Sequence, residues 1–242
     1  MDSEIGCNFT LFSFCGIMWA GDNMKMMVFS CDKCQDTFEA FHILVEKYYP
    51  NHPEIIYITE TIKNPYYKTI CKNYPYEMWT KKIREALAEV DDDIILLMND
   101  DNFIRGPVDV ERIKYCEKNL KGNIAMFNFE KSFDSKDEPS QYKGFKKKNL
   151  KGIAVNSLMC GLWQKDKLMT VLNITSLPWE VERLNIAYDF EYYINSGEFI
   201  IDLGYKFQQP FSLTRGKWAR EVVPFFEKEG IKIDYSIRGY YD

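Results

Sequence analysis

The chain has 242 residues, enough for one substantial core and about one domain. Apolar residues at 46% and aromatics at 16% exclude a disordered chain. Lys and Arg number 31 against 36 Asp and Glu, and this net charge of −5 argues against a general nucleic-acid binder.

The apolar stretch Phe9 to Ala20 is shorter than the ~20 residues that span a bilayer. Asp2 and Glu4 precede it in place of basic residues, so it does not read as a signal peptide. Residues 1–24 are expected to form an N-terminal apolar extension covering an edge of the core, with peripheral membrane contact through 9–20 as the alternative. Strand and helix signals then alternate. Met26 to Phe29 has the length of a strand, and Asp36 with Glu39 three residues on resembles a capping box. Phe38, Phe41, Val45 and Tyr48 share one helical face. Ile55 to Ile58 reads as a second strand, and Trp79, Ile83, Ala86 and Val90 as the stripe of a second helix. Ile94 to Met98 is uninterruptedly apolar, as a parallel strand covered on both faces should be. A helix over Val108 to Asn119 and a strand over Ile124 to Phe129 follow. Lys131 to Lys151, rich in Lys, Asp and Ser, is expected to be a solvated loop or a lid. Beyond it, helices are expected after Trp163 and after Pro178, and the aromatic C-terminal part should pack on the same sheet. The alternation predicts one α/β domain, with ligands bound beyond the carboxyl ends of a mostly parallel sheet.

Seven scattered cysteines do not form a disulfide framework, which points to a reducing, cytoplasmic setting. Cys31 and Cys34 form a CxxC between a strand and a helix, the thioredoxin context. The chain is too long for that domain, however, and no second CxxC completes a zinc site. His42 and His52 are the only histidines, and neither a GxxxxGK[ST] loop nor a GxGxxG occurs.

Chemistry concentrates where Ile94 to Met98 ends in Asn99, Asp100, Asp101 and Asn102. Alternation along an extended chain sends Asp100 and Asp101 to opposite sides. One can face a metal and the other a ribose or a backbone amide. Hard oxygen ligands suit Mn2+ or Mg2+ shared with a substrate diphosphate, although a strand ending in a polar turn gives the same pattern.

Several blocks in order resemble small GT-A glycosyltransferases of bacterial polysaccharide loci and some large DNA viruses. They are Val28 to Lys33, Tyr48 to Tyr57, Trp79 to Lys82, Leu96 to Phe103, Gly161 to Trp163 and Pro178 to Glu182. Asn99 departs from a stricter Asp-x-Asp, and Lys82 stands where the family has arginine. The resemblance implies a GT-A (nucleotide-diphospho-sugar transferase) domain and a UDP-linked donor. Ser30 and Asp32 would hold the nucleotide, with Lys82 near the diphosphate, Asp100 near the ribose and Asp101 on the metal. It also implies an inverting transfer to a glycan, glycolipid or polysaccharide acceptor. A carboxylate must then take the acceptor proton, and Glu182, followed by Glu180, lies in the helix that Pro178 starts. Trp163 and Trp179 are the rings for acceptor sugars. The alternatives are a non-catalytic sugar- or partner-binding protein on the same sheet and a sugar-nucleotide nucleotidyltransferase.

Overall fold

The computed structural model describes residues 24–152, 155–174, 176–184, 188–204 and 212–241. The expected N-terminal extension therefore lies outside the described residues, apart from Met24. The core begins with β1 (Met24–Phe29), a 3-10 turn (Asp32–Thr37) and α1 (Phe38–Tyr48). β2 (Ile55–Thr59), β3 (Lys68–Cys71), α2 (Trp79–Leu87) and β4 (Ile94–Asn99) follow. Next come α3 (Val110–Asn119), β5 (Ile124–Lys131), β6 (Glu138–Pro139) and β7 (Phe145–Lys147). β8 (Gly161–Gln164), α4 (Lys165–Val171), α5 (Pro178–Leu184) and β9 (Glu191–Asn195) lead to a small C-terminal unit. That unit comprises β10 (Leu213–Thr214), β11 (Lys217–Ala219), α6 (Val223–Glu229) and β12 (Tyr240–Tyr241).

The main sheet has nine strands in the order β3-β2-β1-β4-β8-β5-β9-β7-β6. β3, β2, β1 and β4 are mutually parallel, and β8 is inserted antiparallel between β4 and β5. β9 runs parallel to β5, so the carboxyl ends of β1, β2, β4, β5 and β9 share one edge. Side-chain alternation builds the two faces. Met26, Val28, Leu96 and Met98 enter one apolar cluster, while Met27, Phe29, Ile95 and Leu97 enter the other. α1 and α3 cover the first face, and α2, α4 and α5 the second. A strand buried on both faces can then end abruptly in polar residues without disturbing either layer.

Two local expectations are corrected. Asp36 does not cap α1: both its carboxylate oxygens bind Arg238, at 2.5 and 2.7 Å, and Thr37 precedes the helix. Lys131 to Lys151 is not wholly loop, because Phe145, Lys146 and Lys147 pair with β9 and extend the sheet. The sequence reading also missed β3, a four-residue edge strand with one buried side chain. No described helix is long and apolar enough to cross a membrane.

The C-terminal unit contributes to the first cluster through Trp218, which is fully buried against Phe103, Phe226 and Tyr235. Truncation of such a ring leaves a cavity, so Trp218→Ala is expected to cost about 3–5 kcal/mol in urea unfolding. A loss below about 1 kcal/mol would detach this segment from the core.

Candidate functional site

The carboxyl ends of β1 and β4 lie side by side, with Phe29 paired to Asn99. Just beyond them, the Asp100 amide donates to the Phe29 carbonyl at 3.2 Å, and Ser30 Oγ donates to Asp100 Oδ2 at 2.6 Å. The two residues expected to meet the nucleotide are thus bonded to each other. Asp100 is pushed up to about 7, mainly by burial. Asp101 is also pushed up to about 7, by burial and then by the neighbouring Asp100 charge. Arg238, near enough to favour the charged form of both, is itself anchored by Asp36 and donates to the Lys33 carbonyl at 2.7 Å.

Asp32 and Lys82 sit one layer back. The Asp32 carboxylate accepts from the Thr61 hydroxyl at 2.6 Å and from the Thr61 and Ile62 amides at 2.9 and 3.0 Å. These bonds hold it below the ordinary aspartate range against the opposing effect of burial. Its own amide donates to Glu60 Oε2 at 2.7 Å, so Asp32 stitches the end of β1 to the loop after β2. Lys82, at 2% exposure, donates to the Ser30 carbonyl at 2.9 Å and to Glu60 Oε1 at 2.6 Å. Its ammonium therefore fixes the backbone under Ser30.

On the other side of Asn99 the segment Ser157–Met159 crosses the strand ends. Asn99 Nδ2 donates to the Leu158 carbonyl at 3.4 Å, and the Leu158 amide donates to Glu182 Oε1 at 2.8 Å. Ser157 Oγ donates to Glu130 Oε2 at 3.0 Å. Glu182 and Glu130 thus bind adjacent residues of one segment. Burial raises both carboxyls above the usual range, and for Glu182 the Glu130 charge adds to that. Glu180 is differently placed. It is exposed, accepts from Ser176 Oγ at 2.6 Å and from the Leu177 amide at 3.0 Å, and is held below the usual range by those bonds. That is the behaviour of a helix-start residue.

Trp163 is fully buried in the second cluster, edge-on to Tyr192, with no face open to a ligand. The sugar-stacking expected of it is corrected to a packing role. Trp179 is 42% exposed and leans on Tyr76. Glu130 escaped the sequence reading, although an acid ending a buried strand is the same signal that Asp100 gives. Arg238 offered no such signal, being 202 residues from Asp36.

A cavity of about 610 Å³ opens beside Glu130 at the end of β5. Phe129, Phe199, Ile201 and Leu203 give it apolar walls, and Lys148 and Lys151 stand at its polar side.

Among the described residues no cluster of three or more His, Cys, Asp or Glu side chains could hold a metal ion. The residues fit a divalent cation only as a shared one. Asp101 supplies hard oxygen, and the remaining ligands would be water and substrate.

No protein-family model and no curated protein matches the chain. Among solved structures, S. aureus TarS residues 1–349 in complex with UDP matches with a TM-score of 0.50 at 9% identity. The match covers 73% of this chain and 59% of that one. A longer S. aureus TarS structure gives 0.49 at 11% identity, covering 73% of this chain and 36% of that one. A cytidylyltransferase from Leptospira borgpetersenii serovar Hardjo-bovis gives 0.44 at 9% identity, over 91% of this chain and 98% of that one. The chain spans between about a third and three-fifths of the TarS chains it matches. At these identities the likeness concerns fold alone. That fold is the α/β nucleotide-diphospho-sugar transferase type.

Two outcomes follow from this geometry. Lys82→Met leaves Glu60 and the Ser30 carbonyl without their buried partner, so unfolding free energy should fall by about 3 kcal/mol. An unchanged value would contradict the bracing role. Asp100 and Asp101 keep protons in the folded state that the unfolded chain has already lost. Stability in the absence of divalent cations should therefore fall as pH rises from about 4 to about 7. Asp100→Asn should flatten that fall in a thermal-unfolding series, and an identical profile would count against the buried-acid account.

Proposed function

We propose that the chain is a glycosyltransferase that moves a sugar from a nucleotide-diphosphate donor, most simply a UDP-sugar, to a glycan, glycolipid or polysaccharide acceptor, with inversion. The observation that carries this reading is the convergence, at one edge of the sheet, of Ser30, Asp100 and Asp101 with the Glu182–Glu130 pair across Asn99. Donor and base thus flank the same strand end, as a displacement with in-line attack requires.

In this reading Ser30 and Asp100 meet the nucleoside, and Asp32 and Lys82 act through the turn they hold. Asp101 would hold Mn2+ or Mg2+, and such an ion would offset the negative charge of the departing nucleotide. Arg238 adds positive charge on the same side. Glu182 receives the acceptor proton, for which its raised carboxyl is suited, since a base works best when its pKa approaches the working pH. Burial raises that carboxyl, and the Glu130 charge adds to the effect. The cavity beside Glu130 takes the acceptor, with Lys148 and Lys151 at its polar side. Its size lies within the range of ligand sites, ~300–1,000 Å³. Trp179, outside that cavity and 42% exposed, is proposed as a further sugar-stacking ring.

Glu182→Gln keeps the shape and the acceptor oxygen for Leu158 but loses the base. It should bind UDP as the wild type does and lose at least about a hundredfold in transfer rate. Asp101→Ala should lose the cation dependence of UDP binding while retaining the thermal transition. A fully active Glu182→Gln enzyme would remove Glu182 from the role of base. Unchanged cation-dependent binding in Asp101→Ala would remove the metal from that carboxylate.

A further inference from the structure

Cys31 and Cys34 bracket the start of the 3-10 turn between β1 and α1, and their Sγ atoms lie 3.4 Å apart. Both are free and half-buried, so a small reagent reaches them. A disulfide bond is about 2.05 Å long, so bonding requires the sulfurs to close by about 1.4 Å. The hydrogen bond from Cys34 lowers the Cys31 thiol to about 6, while that same bond and burial push Cys34 upward. The pair therefore shares one proton, with the nucleophilic sulfur at Cys31. Cys116 and Cys160 are buried and pushed up by burial, which leaves them inert by comparison.

The position of the pair gives it a consequence. Cys31 directly follows Ser30, whose Oγ donates to Asp100 Oδ2 at 2.6 Å. Movement of the turn at the two sulfurs therefore reaches the strand-end carboxylate through Ser30.

We propose that Cys31 and Cys34 are a redox modification site whose reversible disulfide weakens nucleotide binding at the adjoining ends of β1 and β4. The effect on nucleotide rests on the donor site argued under Proposed function; the disulfide itself does not. The oxidant is a small-molecule disulfide such as glutathione disulfide. Cys31 thiolate attacks one of its sulfurs, the S–S bond breaks, and one glutathione thiolate leaves. Cys34 then releases its proton to solvent and attacks Cys31 Sγ, expelling the second glutathione. Two protein thiols lose two electrons and two protons, and glutathione disulfide becomes two glutathione molecules. Closing the sulfurs by about 1.4 Å moves the backbone of Cys31 and with it Ser30, so the buried Asp100 carboxylate loses its Ser30 donor. A buried acceptor left short of a partner is costly, so the strand end that meets the nucleotide is weakened.

The test exposes the whole chain to glutathione disulfide, alkylates the remaining thiols and maps peptides by mass. UDP affinity in the presence of Mn2+ is measured before oxidation, after it, and after dithiothreitol. The expected result is a loss of about 2 Da confined to the fragments bearing Cys31 and Cys34. UDP affinity should fall about tenfold with it and recover on reduction. Cys31→Ser should abolish the response to glutathione disulfide whatever its starting affinity. Absence of a 31–34 disulfide, or a disulfide that leaves UDP affinity unchanged, would overturn the proposal. A reduced wild type that binds no UDP would refute the donor reading and the affinity effect together, while the mass map still decides the disulfide.

Discussion

Everything at the proposed site depends on two adjacent carboxylates placed at the end of a strand that is buried on both faces. Water is scarce there, so Asp100 and Asp101 hold their protons unusually tightly, and the Asp100 charge adds to the effect at Asp101. Such a pair gains most from a cation or from donors aimed at it. The chain supplies Asp100 with a donor from Ser30, and it brings Arg238 from the far end of the sequence. Asp101 is the less buried of the two, which suits it to the proposed metal.

The braces around that pair explain much of the remaining polar burial. Lys82 is spent on the Ser30 carbonyl and Glu60, and Asp32 on the loop after β2. Both hold the backbone from which Ser30 projects, so a rigid edge is prepared before any ligand arrives. Preorganised polar groups of this kind cost nothing further when charge develops during a reaction. Across Asn99 the Ser157–Met159 segment ties a second acidic pair to the same edge, and the antiparallel β8 that follows it locks the segment into the sheet.

The sheet, its main helices and the acidic strand end were legible because they rest on local patterns. Ile94 to Met98 has no polar interruption, and α1 and α2 carry their stripes at helical spacing. What escaped depended on distant partners. Asp36 looked like a cap because Glu39 follows it, yet Arg238 claims its carboxylate from across the fold. Trp163 looked available to a sugar because a motif contains it, yet β8 turns it into the core between β4 and β5. β6 and β7 lie in a stretch whose composition is that of a loop, and only pairing with β9 makes it sheet. The two glutamates of α5 are two residues apart, and sequence alone could not tell that one caps the helix while the other reaches Leu158.

The central claim is that a nucleotide and a divalent cation meet at the ends of β1 and β4. The direct test is paramagnetic broadening of backbone amide signals by Mn2+ in the presence of UDP. The expected result is selective loss of signals from Ser30, Asp100, Asp101 and Asn102, with β6, five strands away in the sheet, unaffected. Broadening centred elsewhere, or the same broadening without UDP as with it, would contradict a cation shared between Asp101 and a bound diphosphate.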